Sequence, residues 1–81
     1  MEKIIMGGLS FSVALGAIKD GEKVYRLGWN GKIQWLQLHK PEFGGRMTKA
    51  FICIRSVQGD FIPWTASQMD LLSEDWDYYR E

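Results

Sequence analysis

A single cysteine, Cys53, and a single histidine, His39, stand in a chain of 81 residues. That leaves neither an internal disulfide nor a Cys/His zinc site, the supports that small folds most often use. The core has to hold by packing, and a chain this short buries only about 60 % of the surface that its unfolded form exposes. What remains to add stability is a ligand or another subunit. Hydrophobic residues make up 46 % of the chain and include four tryptophans. This is more apolar surface than one small core hides, which predicts a homo-oligomer. The length suits one domain, taken as residues 1–81.

The lone cysteine fits a reducing compartment. The N-terminal stretch is apolar but interrupted by Gly7 and Gly8, and it has no small-residue cleavage site. It is read neither as a signal peptide nor as a membrane span. Formal net charge is zero, yet residues 1–58 hold nine Lys/Arg against four Asp/Glu, and residues 59–81 hold one Arg against six Asp/Glu. The two segments either neutralise each other or leave a local basic surface for a small anion. A polymer of nucleic acid usually calls for a strongly basic domain.

Local patterns define seven elements. Phe11, Ala14, Leu15 and Ile18 fall at i, i+3, i+4 and i+7, with Ser10 as cap and Lys19-Asp20-Gly21 as stop, so a helix is predicted there. Val24–Leu27 reads as a strand, followed by the turn Gly28-Trp29-Asn30-Gly31. Residues 33–39 read as a second strand, and 40–46 as loop. The apolar, β-branched run 50–55 fits an inner strand. Gln58-Gly59-Asp60 turns the chain into Phe61-Ile62, which Pro63 ends. Thr65 and Gln68 have capping-box spacing, with Trp64 and Met69 placed as a hydrophobic staple, for a second helix reaching about Ser73. Residues 76–79 form the last strand. The order α-β-β-β-β-α-β implies an α+β fold, with two helices packed on an antiparallel sheet of about five strands.

Catalytic chemistry is poorly provided for. A nucleophile needs a base within reach, and His39, the usual kind of base, sits in a strand of mixed pattern and reads as a surface or edge-strand residue. Cys53 lies in the most buried-looking strand, where a thiol is inert packing. Asp70 and Glu74 are like-charged i, i+4 neighbours, which reads as a solvated helix face. No cofactor motif is present, and the chain is read as a non-enzyme. Binding groups are better represented. Arg26 can hold phosphate, Trp29 can stack on a base or belong to the core, and Asn30 can read a base edge or simply shape the turn.

Three blocks in order are more specific than any of these residues. They are Phe11-x-x-Ala14-Leu15 with Lys19-x-Gly21, then Arg26-x-Gly28-Trp29-Asn30-Gly31-Lys32, then Pro63-Trp64-x-Ala66-Ser67-Gln68-x-Asp70-Leu71-Leu72-x-Glu74-Asp75-Trp76. Together they resemble the Thoeris anti-defence proteins of the first type, small proteins of phages and prophages. The resemblance implies a sponge. Such a protein binds cyclic ADP-ribose isomers, or related cyclic nucleotides, without cleaving them, works as a homo-oligomer in the cytoplasm of the infected host, and needs no cofactor. By the same resemblance the ligand contacts would include Arg26, Trp29, Asn30, Gln68, Asp70 and Asp75. Phe43 and Arg46 would stand in for a longer insertion carried by relatives. Two other readings stay open: a module that binds a host or phage protein through its aromatic surface, and a single-stranded nucleic-acid binder stacking bases on Trp29 and Trp35. Zero net charge weighs against the latter.

Overall fold

The computed structural model describes residues 8–29, 34–41 and 49–80. Its elements are α1 (Phe11–Lys19), β1 (Val24–Arg26), a single 3-10 turn (Leu27–Trp29), β2 (Trp35–His39), β3 (Phe51–Arg55), β4 (Phe61–Pro63), α2 (Gln68–Leu72) and β5 (Trp76–Tyr78). The α+β class and the order of elements agree with the sequence reading. The strands form one antiparallel sheet in the order β4-β3-β2-β1-β5, so the last strand returns to lie beside the first.

α1 begins where Ser10, in extended conformation, accepts the Val13 N–H on its hydroxyl at 3.3 Å. It ends at Gly21, whose φ of 91° lies in the region that favours glycine. Ala14, Ala17 and Ile18 face inward. They meet Val24, Leu36 and Trp76 from the sheet, with Phe11, Ile54 and Trp64 packed around them. Side chains alternate along a strand, so one face of the sheet carries Val24, Leu36, Ile54 and Trp76 toward α1. The other face carries Tyr25, Trp35, Cys53, Arg55 and Phe61.

Register is set by complete ladders. β2 and β3 pair from Trp35↔Arg55 to His39↔Phe51, and β3 and β4 pair from Cys53↔Pro63 to Arg55↔Phe61. The loop between β3 and β4 closes with the Ser56 N–H donating to the Asp60 carbonyl at 2.7 Å, and Gly59 turns at φ 96°. Pro63 is part of β4 rather than its terminator. β4 lies at the sheet edge, where a missing N–H costs no ladder bond.

Three local expectations change. The cap of α2 is Ser67, not Thr65: its hydroxyl accepts the Asp70 N–H while the Asp70 carboxylate accepts the Ser67 N–H. The box therefore closes two residues later than Thr65-x-x-Gln68, and the Trp64–Met69 staple goes with it, because Met69 is now only the second helical residue. α2 stops at Leu72, so Asp70 and Glu74 do not share a helix face. His39 lies on β2, the middle strand of the five, with its ring 4.8 Å from Phe51, and is no edge residue. The Asn30-Gly31 turn falls outside the described residues. Among the described residues no helix is long and apolar enough to cross a membrane.

Candidate functional site

Trp76 is the point at which the motif blocks meet. Its side chain is fully buried. Phe11 from the first block packs at 5.3 Å between ring centroids, Trp29 from the second edge-on at 5.6 Å, and Trp64 from the third edge-on at 6.1 Å. Tilted and edge-on contacts place ring edges against π faces, which adds to the gain from burial alone. The indole N–H donates to the Asp70 carbonyl at 3.1 Å, so the helix within the third block is tied to the same ring.

Arg26 closes the other side of this junction. Its Nε donates to Asp75 Oδ1 at 2.9 Å and its Nη2 to Asp75 Oδ2 at 3.4 Å, while Nη1 donates to Asp70 Oδ1 at 2.9 Å. The Gly28 N–H also donates to Asp75 Oδ2, at 2.8 Å. One guanidinium thus spans two carboxylates brought from residues 44 and 49 positions away, a task that suits the planar fork of arginine. The Arg26 side chain is only 15 % exposed.

The charges adjust accordingly. The hydrogen bond from Arg26 holds the Asp75 carboxyl below the usual range against some desolvation. At Asp70 burial pushes upward, but bonds from the Ser67 N–H and from Arg26 outweigh it, and the carboxyl is again lowered. Arg26 in turn is raised, chiefly by Asp75. All three groups stay ionised at neutral pH, with one more negative charge than positive. Among the described residues no group of His, Cys, Asp and Glu is placed to hold a metal ion.

Of the eight residues expected at a ligand site, Arg26, Asp70 and Asp75 come together in this clasp. Trp29 lies beside them through Trp76, and Gln68 is exposed at the start of α2. Asn30, Phe43 and Arg46 fall outside the described residues. Arg26 is engaged on both edges of its guanidinium, so it acts as a clamp more readily than as a phosphate holder. The pairing of Asp70 with Asp75 had no local signal, because it depends on α2 ending early and the chain turning back into β5. On the second face of the sheet, Trp35 was named as a base platform, but the Lys23 and Arg55 that flank it were missed, since only the fold brings them there.

Gly28 has a steric reason to be glycine. A Cβ there would lie 2.8 Å from Asp75 Oδ2 and 3.1 Å from Arg26 Nη2. Gly28→Ala is expected to lower stability by about 1–3 kcal/mol, the usual range for overpacking, read as a shift in denaturation midpoint. An unchanged midpoint would show that the clasp is loose.

The architecture is that of a small α+β protein in which motif blocks distant in sequence close on one aromatic and ionic junction. Residues 9–79 match the family model described as the Thoeris anti-defense 2-like domain, and the chain belongs to that family. It is similar to the protein named Thoeris anti-defense 2 of Bacillus phage SP01, at 34 % identity over 87 residues, covering 85 % of this chain and 92 % of the relative. The anti-defence resemblance of the motifs is thereby borne out, and the matching relative carries the number 2.

Proposed function

We infer that this chain is a phage anti-defence protein that acts against Thoeris immunity by sequestering its nucleotide signal, a cyclic ADP-ribose isomer, without cleaving it. The observation that supports the reading is the convergence of the second and third motif blocks on the Arg26–Asp70–Asp75 clasp. The most specific stretches of the sequence meet at one end of the sheet, with Trp29 between core and surface. In this reading Trp29 offers a ring for the base and Gln68 an amide for polar edges, while Arg26 and its two carboxylates hold those groups in place. Asn30, Phe43 and Arg46 are kept as contacts on the strength of the resemblance. No catalytic step is assigned. The protein would work in the cytoplasm of the infected host as a homo-oligomer, in keeping with Met69, Leu71, Leu72 and Val13, all exposed on the helices.

A cyclic ADP-ribose isomer at 100 times its dissociation constant should add about 2.7 kcal/mol of stability, which for a domain of this size is a rise of roughly 10–20 °C in thermal midpoint. Heating the complex should then return the ligand intact. Recovery of a cleaved product would refute sequestration. The absence of a shift with any cyclic nucleotide would favour a protein-interaction module using the exposed apolar surface of the helices.

A further inference from the structure

Trp64 and Asp75 fasten the chain on either side of α2. The Trp64 N–H donates to the Ile52 carbonyl at 3.0 Å, and its ring packs against Phe11 and Trp76. The Asp75 carboxylate is held by Arg26 and the Gly28 N–H, and its carbonyl accepts the Leu27 N–H at 2.9 Å. The residues between these anchors, 65–74, are attached quite differently. None of them is buried, and Met69 and Leu72 of α2 are 74 % and 79 % exposed. None belongs to the apolar cluster around Ile18 and Trp76.

Asp70 is the pin. The reciprocal bonds between Ser67 and Asp70 are internal to the segment, as are those from the Leu71 N–H to the Ser67 carbonyl and from the Ser73 hydroxyl to the Met69 carbonyl. Two hydrogen bonds tie the segment to the rest of the described residues, and both end on Asp70. Arg26 Nη1 donates to its carboxylate at 2.9 Å, and the Trp76 indole N–H donates to its carbonyl at 3.1 Å. A helix as short as α2 is not stable by itself, so it depends on what holds it from outside. An element without buried apolar contacts opens at a lower free energy than the core beside it.

The two groups assigned to the ligand ride on different bodies. Trp29 belongs to the sheet: its ring stands edge-on to Trp76, and the preceding Gly28 is bonded to Asp75. Gln68 belongs to the segment pinned by Asp70, two residues before the pin. We propose that residues 65–74 are the moving jaw of the ligand site, opening and closing on the Asp70 pin while the sheet stays folded. Open, the jaw draws Gln68 away from Trp29 and admits the ligand. Closed, it returns the amide to its place. The role in ligand entry rests on the capture reading above; the opening itself does not.

The test is amide hydrogen exchange of the intact protein, followed by NMR in urea concentrations too low to unfold it. Without ligand, the Asp70 and Leu71 amides should exchange at least about tenfold faster than those of Trp64 and Trp76 at the anchors, and with little dependence on urea. Asp70→Asn keeps the size of the side chain and removes the ion pair, so it should speed the jaw amides by roughly fivefold to tenfold. A cyclic ADP-ribose isomer at 100 times its dissociation constant should slow them by up to about a hundredfold. Jaw amides with the urea slope of the anchors would mean that the segment opens only with the whole fold, and would overturn the proposal. So would an Asp70→Asn variant whose jaw amides are unchanged. An isomer that raises the thermal midpoint yet leaves the jaw amides unaltered would overturn the jaw and keep the capture reading. Fast jaw exchange with no response of any kind to the isomer would do the reverse, retaining the opening and removing capture.

Discussion

Trp76→Ala is expected to remove most of the stability of this protein. Truncating a buried tryptophan costs about 3–5 kcal/mol, and a chain of this length has only about 4–12 kcal/mol to lose. The loss is larger than a simple cavity, because Phe11, Trp29 and Trp64 all rest on that ring and the Asp70 carbonyl loses its donor. The thermal midpoint followed by circular dichroism should fall by roughly 15–30 °C. Trp76→Phe keeps an apolar ring and gives up the N–H, so it should cost much less. A midpoint for Trp76→Ala within about 5 °C of the unaltered protein, equivalent to roughly 1 kcal/mol, would contradict the central role given to this residue.

Arg26→Met should have the next largest effect, and pH gives it a signature. Removing the guanidinium leaves Asp70 and Asp75 ionised, close together and deprived of their cation. Breaking a well-buried ion pair costs about 3–5 kcal/mol; with these side chains 14–30 % exposed, solvent screening brings the expected loss to about 2–3 kcal/mol at neutral pH. Both carboxyls have lowered folded-state values. Their contribution is therefore fully present above the ordinary aspartate value of about 3.9 and is lost as pH falls through the lower folded values. Urea denaturation of both proteins across that range should show the gap narrowing as the medium becomes more acid. A gap that stays constant would mean that the clasp contributes through packing and not charge. Arg26→Lys should recover only part of the loss, since one ammonium does not reproduce the fork that reaches both carboxylates.

The parts of the structure that were legible in the sequence are those fixed by neighbours in the chain. The inward face of α1 follows from the spacing of Phe11, Ala14, Leu15 and Ile18, and its start from Ser10. β3 follows from the run around Cys53, which is buried as expected and whose thiol is raised by desolvation. The start of α2 was ambiguous, because Thr65-x-x-Gln68 and Ser67-x-x-Asp70 both have the geometry of a reciprocal cap. Distant groups favour the second: Asp70 is engaged by Arg26 through its carboxylate and by Trp76 through its carbonyl, and neither contact has any trace in the local pattern. The same holds for Trp35. Its place beside Arg55 needs the register of β2 on β3, and a slip of one residue would put the two side chains on opposite faces.

For the candidate site, the motif blocks held three residues that the fold brings together, Arg26, Asp70 and Asp75, and left their jobs undecided. Arg26 was expected to face a ligand, and its guanidinium is engaged by two carboxylates. Trp29 was balanced between core and stacking, and it lies half-buried against Trp76. A motif records that residues are needed together, whereas partner and direction are properties of the folded chain.

The return of β5 to β1 also sets the order of events at the ribosome. A growing chain that has released α1 and the first four strands still lacks the indole that fills the space among Phe11, Val24 and Leu36. The first and last strands must find each other across about fifty residues, an encounter whose entropic cost precedes any reward. Closure of the sheet therefore waits until residues 76–78 have emerged, and the final pairing can then form in a single cooperative step.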